Sequence, residues 1–309
     1  MDASAWTLYI SLQLAPASAF FDWTMPADLL ADTAVTLVPG FDRKYAVELP
    51  NSWNWRLPSG GVLMTVGMRA LREAVGDPAF HPISATSTFC QPVPAGRIEI
   101  DVEILRRGNA ATQARASLRT PDSDGVCLEV SATFARERKG LGIDYLDAVF
   151  PDVLPIHGAR VFEENYQIDG KARRYRFLEN LDMRLAFGNI WWESGWSAGP
   201  ARFARWIRYK VPQTMPNGCF DPLAFPPIVD MMPSAIRQKL GPDGPQYYAP
   251  SFDLTVHFLD PTPSEWFLTS TYARRARAGY ATAEVEVWSE DKKLVAYGTQ
   301  TMILRDPGR

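Results

Sequence analysis

Histidine is scarce in this chain: His81, His157 and His257 are the three among 309 residues. So few exclude a His-rich metal centre and leave little room for histidine catalysis. Cysteine is as rare. Cys90, Cys127 and Cys219 are odd in number and lack metal-ligand spacing, which points to structural roles in a reducing, cytoplasmic setting. No excess of basic charge exists either. A net charge of −3 offers no basic stripe for a nucleic-acid partner. CxxC pairs, heptads, low-complexity tracts and the phosphate-cradling GxGxxG and GxxxxGK patterns are all missing. No membrane span is expected, because the longest uncharged run near the start, residues 3–21, contains Ser, Thr, Gln and Pro. Asp2 stands where a secretory leader carries basic residues, so residues 1–26 read as a poorly ordered leader or docking segment.

What the chain does have is length and a 46% apolar composition, enough for one large core or two modest ones, with length favouring two. It also repeats itself. The stretches 80–138 and 247–305, about 168 residues apart, share one order of features. Each enters through a β-rich segment and turns at Pro92-Val93-Pro94 or Pro261-Thr262-Pro263. An alternating strand then runs into Arg106-Arg107 or Arg274-Arg275. A second strand, an acidic turn and a final strand ending in arginine complete each copy. Duplicated half-domains place ligand sites at the joint between the copies.

Coarse secondary structure follows from periodicity. Val62, Val66, Ala70 and Ala74 step at helical spacing between Ser59-Gly60-Gly61 and a closing Gly76, and the early turns are apolar all round, so this helix is buried. Strands are expected at 35–38, 44–49, 83–91, 97–106, 112–118 and 126–136. After a proline-containing joint at 139–166, an alternating stretch at 174–185 and a strand at 204–209 lead to a second buried helix within 221–240. The fold class is α+β, a sheet wrapping a helix, stated twice.

Overlaying the copies isolates a few polar residues. Asp230 replaces an apolar residue at the start of the second buried helix, either as an N-cap or as a carboxylate with a task. Gln300 falls opposite Thr133 in the final strand, and Ser251 opens the strand after the helix; each alone reads as a satisfied polar group. Gly195-Trp196-Ser197-Ala198-Gly199 matches the nucleophile-elbow pattern, with Asp230 and His257 following in order. The elbow needs a strand before Ser197 and a helix after it, and neither flank reads so. His257 shares a strand face with Asp253 and Thr255.

Trp53 with the helix from Gly60, the Leu105-Arg106-Arg107-Gly108-Asn109 turn, Ser131-Ala132-Thr133-Phe134, Leu181-Asp182-Met183-Arg184, Trp206-Ile207-Arg208, the Asp230 helix and Leu294-Val295-Ala296 with Gln300 together resemble the acyl-CoA thioesterase II family. The resemblance implies a double hotdog: two sheets, each wrapping a central helix, fused as a pseudo-dimer with halves at 27–140 and 171–309 around a linker at 141–170. It implies a catalytic set of Asp230, Ser251 and Gln300, with Ser251 standing where threonine is usual. Gly60, Gly61, Met231, Met232 and His257 are the candidate substrate-binding residues. The implied partner is an acyl-CoA or carrier-bound acyl thioester, without metal or cofactor, in a homo-oligomer such as a dimer of double hotdogs. Two alternatives stand beside hydrolysis: an acyl- or polyketide-binding or tailoring protein on the same scaffold, and a serine hydrolase using Ser197.

Overall fold

In the computed structural model, the described residues are 25–306 apart from 139, 163–165, 169, 170 and 174; side chains are described outside 163–174. The expected leader at 1–26 therefore lies, but for its last two residues, outside them.

The first half carries a short helix α1 (Leu29–Asp32), strands β1 (Thr36–Leu37) and β2 (Lys44–Leu49), and the long helix α2 (Gly60–Val75). Strands β3 (His81–Phe89), β4 (Gly96–Arg107), β5 (Ala111–Arg119) and β6 (Leu128–Ala135) follow. The second half contains β7 (Arg160–Val161), β8 (Tyr166–Ile168), β9 (Lys171–Arg173), α3 (Arg176–Glu179), β10 (Leu181–Phe187) and β11 (Arg202–Tyr209). It continues with α4 (Phe225–Val229), α5 (Pro233–Leu240), β12 (Ser251–Phe258), β13 (Phe267–Arg277), β14 (Tyr280–Ser289) and β15 (Leu294–Ile303).

Thirteen strands form one antiparallel sheet in the order β1-β2-β4-β5-β6-β3-β12-β15-β14-β13-β11-β10-β7. The order on one side of the β3–β12 seam mirrors the order on the other. The two expected sheets are thus joined edge to edge, with Val256 opposite Ala85 and His257 opposite Ser84. Pairing the two central edges removes the unpaired N–H and C=O groups each half would otherwise expose.

The sheet curls around α2 and the α4–α5 segment. Val62, Met64, Val66, Met68 and Leu71 of α2 have no exposed surface, so the helix is held by tertiary burial. Gly76, at φ 67°, closes it in the left-handed conformation that glycine adopts without penalty. Close packing of the two central helical segments depends on Gly61. A Cβ there would lie 2.3 Å from the Pro226 carbonyl oxygen, so only glycine lets the two backbones meet.

The second helix differs from the single element expected at 221–240. Asp221 caps a 3-10 turn (Pro222–Ala224), α4 ends at Val229, and α5 begins at Pro233. Pro233 lacks an N–H, and its ring would strike the carbonyl four residues back, so a continuous helix is forbidden there. The alternating stretch at 174–185 also divides, into one helical turn (α3) and then β10.

Two further contacts fix the halves. Buried Arg69 of α2 forms an ion pair with fully buried Asp221, which Arg72 also approaches at 3.4 Å. On the outer face of the second half, the joint between the copies is packed down. Ala148, Phe150, Val153 and Ile156 lie against a cluster containing Trp206, Leu268 and Trp288, and Trp206 Nε1 donates to the Leu154 carbonyl at 2.9 Å.

Gly61→Ala should lower unfolding free energy by about 3 kcal/mol or more, because the overlap is with backbone that cannot rotate away. Urea denaturation checks this. A loss below about 1 kcal/mol would mean that the helical segments are not in contact at Gly61.

Candidate active site

Elements of both halves converge on one carboxylate. Asp230 follows the last residue of α4, and its N–H still reaches the Pro226 carbonyl at 3.0 Å. The break before Pro233 releases its side chain toward the first half. There Oδ2 accepts from the Ser59 hydroxyl and from the Gly61 N–H, both at 2.9 Å. Oδ1 accepts from Gln300 Nε2 at 2.5 Å. Gln300 Nε2 also donates to Ser251 Oγ at 2.6 Å, so one amide bridges the acid and the hydroxyl.

This arrangement corrects the N-cap reading of Asp230. It does not cap its own helix, since the N-cap of α5 is Met232, which makes no side-chain cap bond. It caps α2 instead. Ser59 holds the N-cap position of α2 yet makes no cap bond within its own helix. The first N–H groups of any helix lack intrahelical partners and carry partial positive charge, and here a carboxylate from the other half faces them.

Burial raises the Asp230 pKa from 3.8 to about 6, while hydrogen bonds from Gly61, Ser59 and Gln300 pull it down. Desolvation therefore wins over the donors. The residue keeps a minority of its surface open. Gln300 itself is buried, and its Oε1 accepts no hydrogen bond.

Ser251 reaches the site through a defect in the sheet. Inward Leu254, Val256 and Phe258 set the β12 alternation, which by itself would turn Ser251 outward with Asp253 and Thr255. A bulge between Ser251 and Asp253 shifts the register and rotates the hydroxyl to Gln300. His257 has no such help. It is exposed on the outer face beside Tyr297, and the sheet separates it from Asp230, so it is not among the groups that face the carboxylate. Met231 and Met232 are buried directly after Asp230, and Gly60 would place a Cβ 3.2 Å from the Asp230 carboxylate. Ser197 is exposed in an irregular loop that leads into strand β11. The strand–turn–helix geometry of a nucleophile elbow is absent.

Sequence reasoning missed three contributors. Ser59 was legible only as a helix opening. Arg56 is exposed and lies over the Tyr248 ring, 5.3 Å from its centroid. Tyr248 is close enough to feel the site: burial raises its phenol pKa, Arg56 and Arg305 lower it, and the charge of Asp230 adds to the rise. An aromatic ring with a cation over it thus lies within electrostatic range of the carboxylate. Among the described residues, no three His, Cys, Asp or Glu side chains gather as metal ligands would. No helix among them is long and apolar enough to cross a membrane.

The sequence profile of the acyl-CoA thioesterase N-terminal domain matches residues 49–135, and that of the C-terminal domain matches residues 158–304. The chain belongs to the acyl-CoA thioesterase family. Solved structures agree at the level of the fold. A hot dog fold protein from Alicyclobacillus acidocaldarius superposes with a TM-score of 0.74 at 20% identity, covering 90% of this chain and 98% of that one. An acyl-CoA thioesterase II from Mycobacterium marinum gives 0.65 at 16% identity, covering 91% and 99%. The dehydratase domain of RzxB from Pseudomonas fluorescens shares the fold at 0.51 and 10% identity, over 85% and 94%, so the scaffold by itself does not choose a reaction. No curated protein matches the sequence. Family membership makes this chain a thioester hydrolase on a double hotdog scaffold.

The raised pKa of Asp230 has a stability consequence. The folded state holds the proton more tightly than the unfolded state, so this contribution is complete below about pH 4 and lost as pH rises through about 6. A shift of about two units corresponds to at most about 3 kcal/mol, reduced by the residual solvent contact. Asp230→Asn should therefore be more stable than the parent at pH 8, by roughly 2 kcal/mol, with the advantage shrinking toward pH 4. Denaturation midpoints at the two pH values check this; a variant less stable at pH 8 would contradict the electrostatic account.

Proposed function

We propose that the thioesterase hydrolyses acyl-CoA thioesters with a water molecule activated by Asp230 and held by Gln300 and Ser251. The observation that carries this reading is the convergence of a carboxylate with a pKa raised to about 6, an amide and a hydroxyl at one partly open point between the two halves. A base with a pKa near the working pH is both largely ionised and basic enough to take a proton.

The chemistry follows from the free valences. Oδ1 of Asp230 receives one hydrogen bond, from Gln300, and retains a second acceptor direction for a water proton. The unpartnered Oε1 of Gln300 accepts the other water proton. Ser251 Oγ accepts from Gln300, which leaves its own O–H to orient the water oxygen. The water oxygen adds to the thioester carbonyl as its proton passes to Asp230. The carbon–sulfur bond then breaks, the thiolate takes that proton, and free acid and thiol leave. A thiol with a pKa of about 8.5 is a competent leaving group. The Gly61 N–H is taken up by Asp230, so α2 would favour a carbonyl oxygen as it gains charge through its positive dipole end. No covalent intermediate is needed. Arg56 and Tyr248 at the edge of the site suit the phosphates and ring of coenzyme A, through charge pairing and stacking.

Asp230→Asn should abolish thiol release from acyl-CoA, by at least about 10²-fold, while remaining folded. Ser197→Ala should leave turnover unchanged. Retained turnover in the first variant, or loss confined to the second, would overturn the assignment. Arg56→Ala should raise KM for acyl-CoA about tenfold with kcat nearly constant, as expected for a group that binds ground and transition states alike. An equal loss in kcat would place Arg56 in the chemistry instead.

A further inference from the structure

The two halves differ at one patch of the wall that faces their helices. The Pro-x-Pro turns at 92–94 and 261–263 are offset by 261 − 92 = 169 residues, and that offset aligns β4 with β13. Ile98, Ile100 and Val102 then correspond to Phe267, Thr269 and Thr271. Across the strand pair, Tyr45 stands opposite Ile100 in the first half and Arg205 stands opposite Thr269 in the second. An apolar patch of the first half, Tyr45, Ile100 and Val102, has become Arg205, Thr269 and Thr271. All three replacements are buried.

Arg205 is 5% exposed. Its Nη2 donates to the Met231 carbonyl at 2.7 Å and to Ser234 Oγ at 3.1 Å, and its guanidinium lies 4.9 Å from the Phe203 ring centroid. Its Nε is buried without a hydrogen-bond partner. Among the described residues, no carboxylate lies within ion-pair distance of it. Burial lowers its pKa to about 9, which leaves it charged at neutral pH. Anchoring the Met231 carbonyl at the helix break needs only a neutral donor. A buried charge without a counter-charge is costly, and native interiors pair such groups.

We propose that Arg205, with Thr271 on the neighbouring strand two residues along from its partner Thr269, receives a carboxylate at the far end of the acyl group, so that the preferred substrates are thioesters of dicarboxylic acids. This rests on the hydrolase reading above and adds the class of acyl chain. Met231 links the two places directly, since it follows Asp230 and its carbonyl is the group Arg205 holds. From Gln300 on β15, the inner face of the sheet runs across Ala283 on β14, opposite Gln300, and past Thr271 on β13 to β11. Three strand spacings amount to about 14 Å, a span for a medium-length chain lying against the sheet.

The test is kcat/KM for coenzyme A thioesters of about six to twelve carbons, each prepared with a methyl end and with a carboxyl end. At the best length, the carboxyl-ended form should exceed its methyl-ended partner by about tenfold or more, the worth of one charge-assisted contact. Arg205→Gln removes the charge and should erase that preference, read as the ratio of carboxyl-ended to methyl-ended kcat/KM within the variant, in which a general loss of activity cancels. Thr271→Val, nearly isosteric, should weaken the same ratio, and it carries the test if Arg205→Gln does not fold. No preference in the parent, or a preference that folded variants leave intact, overturns the proposal. Silence toward every thioester would sink the hydrolase reading instead. Calorimetry with a non-hydrolysable carboxyl-ended thioether of coenzyme A, parent against Arg205→Gln, then decides the Arg205 site separately: equal affinities overturn it, and a tenfold loss supports it.

Discussion

One contact organises the molecule: a carboxylate from the second half seated on the helix N-terminus of the first. Asp230 takes the Ser59 hydroxyl and the Gly61 N–H, groups that would otherwise be met by a residue of their own half. The contact couples the halves and holds the acid in place. It also puts the acid where burial keeps it reluctant to ionise. The positive end of α2 and three donors keep this tolerable, yet desolvation still dominates. A functional site that costs stability is the usual trade for reactivity.

Several features follow from that contact. The two helical segments must meet closely, which demands the bare backbone at Gly61 against Pro226. The second segment must break to let Asp230 turn away, and Pro233 ensures that it does. The freed carbonyl of Met231 then needs a donor, which Arg205 supplies. Ser251 must face inward, and a bulge in β12 makes it so. The helix of the first half is unbroken from Gly60 to Val75, although β3 carries a register shift of its own between Pro82 and Ser84. Of the two helical segments, the one that carries Asp230 is the broken one.

Much of the scaffold was legible in the sequence because its signals are local. Lys44–Leu49 alternates and is a strand with the expected bounds; the apolar helical period between Gly60 and Gly76 gives α2. The repeated order of turns and strands at 80–138 and 247–305 predicts the mirrored strand order. What escaped was short or non-local. The single turn Arg176–Glu179 is too brief to show periodicity. The break at Asp230 was signalled only by Pro233, and strict alternation conceals the bulge that turns Ser251 inward. The bond between Ser59 and Asp230 spans 171 residues and cannot be read from either neighbourhood. Overlaying the copies isolates Asp230, Ser251 and Gln300, the family resemblance implies their catalytic role, and the structure brings the three together. His257, a candidate substrate-binding residue by sequence, lies on the outer face.

The central claim is that the Asp230 carboxylate is the base and that its environment sets the working pH. Difference infrared titration, parent minus Asp230→Asn, reads that carboxyl group directly and can be set beside the pH dependence of kcat/KM for one acyl-CoA. The account predicts a carboxyl midpoint near 6 that coincides with the acid limb of the rate profile. A midpoint near the ordinary aspartate value of 3.8, or a rate profile indifferent to the titration, would contradict it.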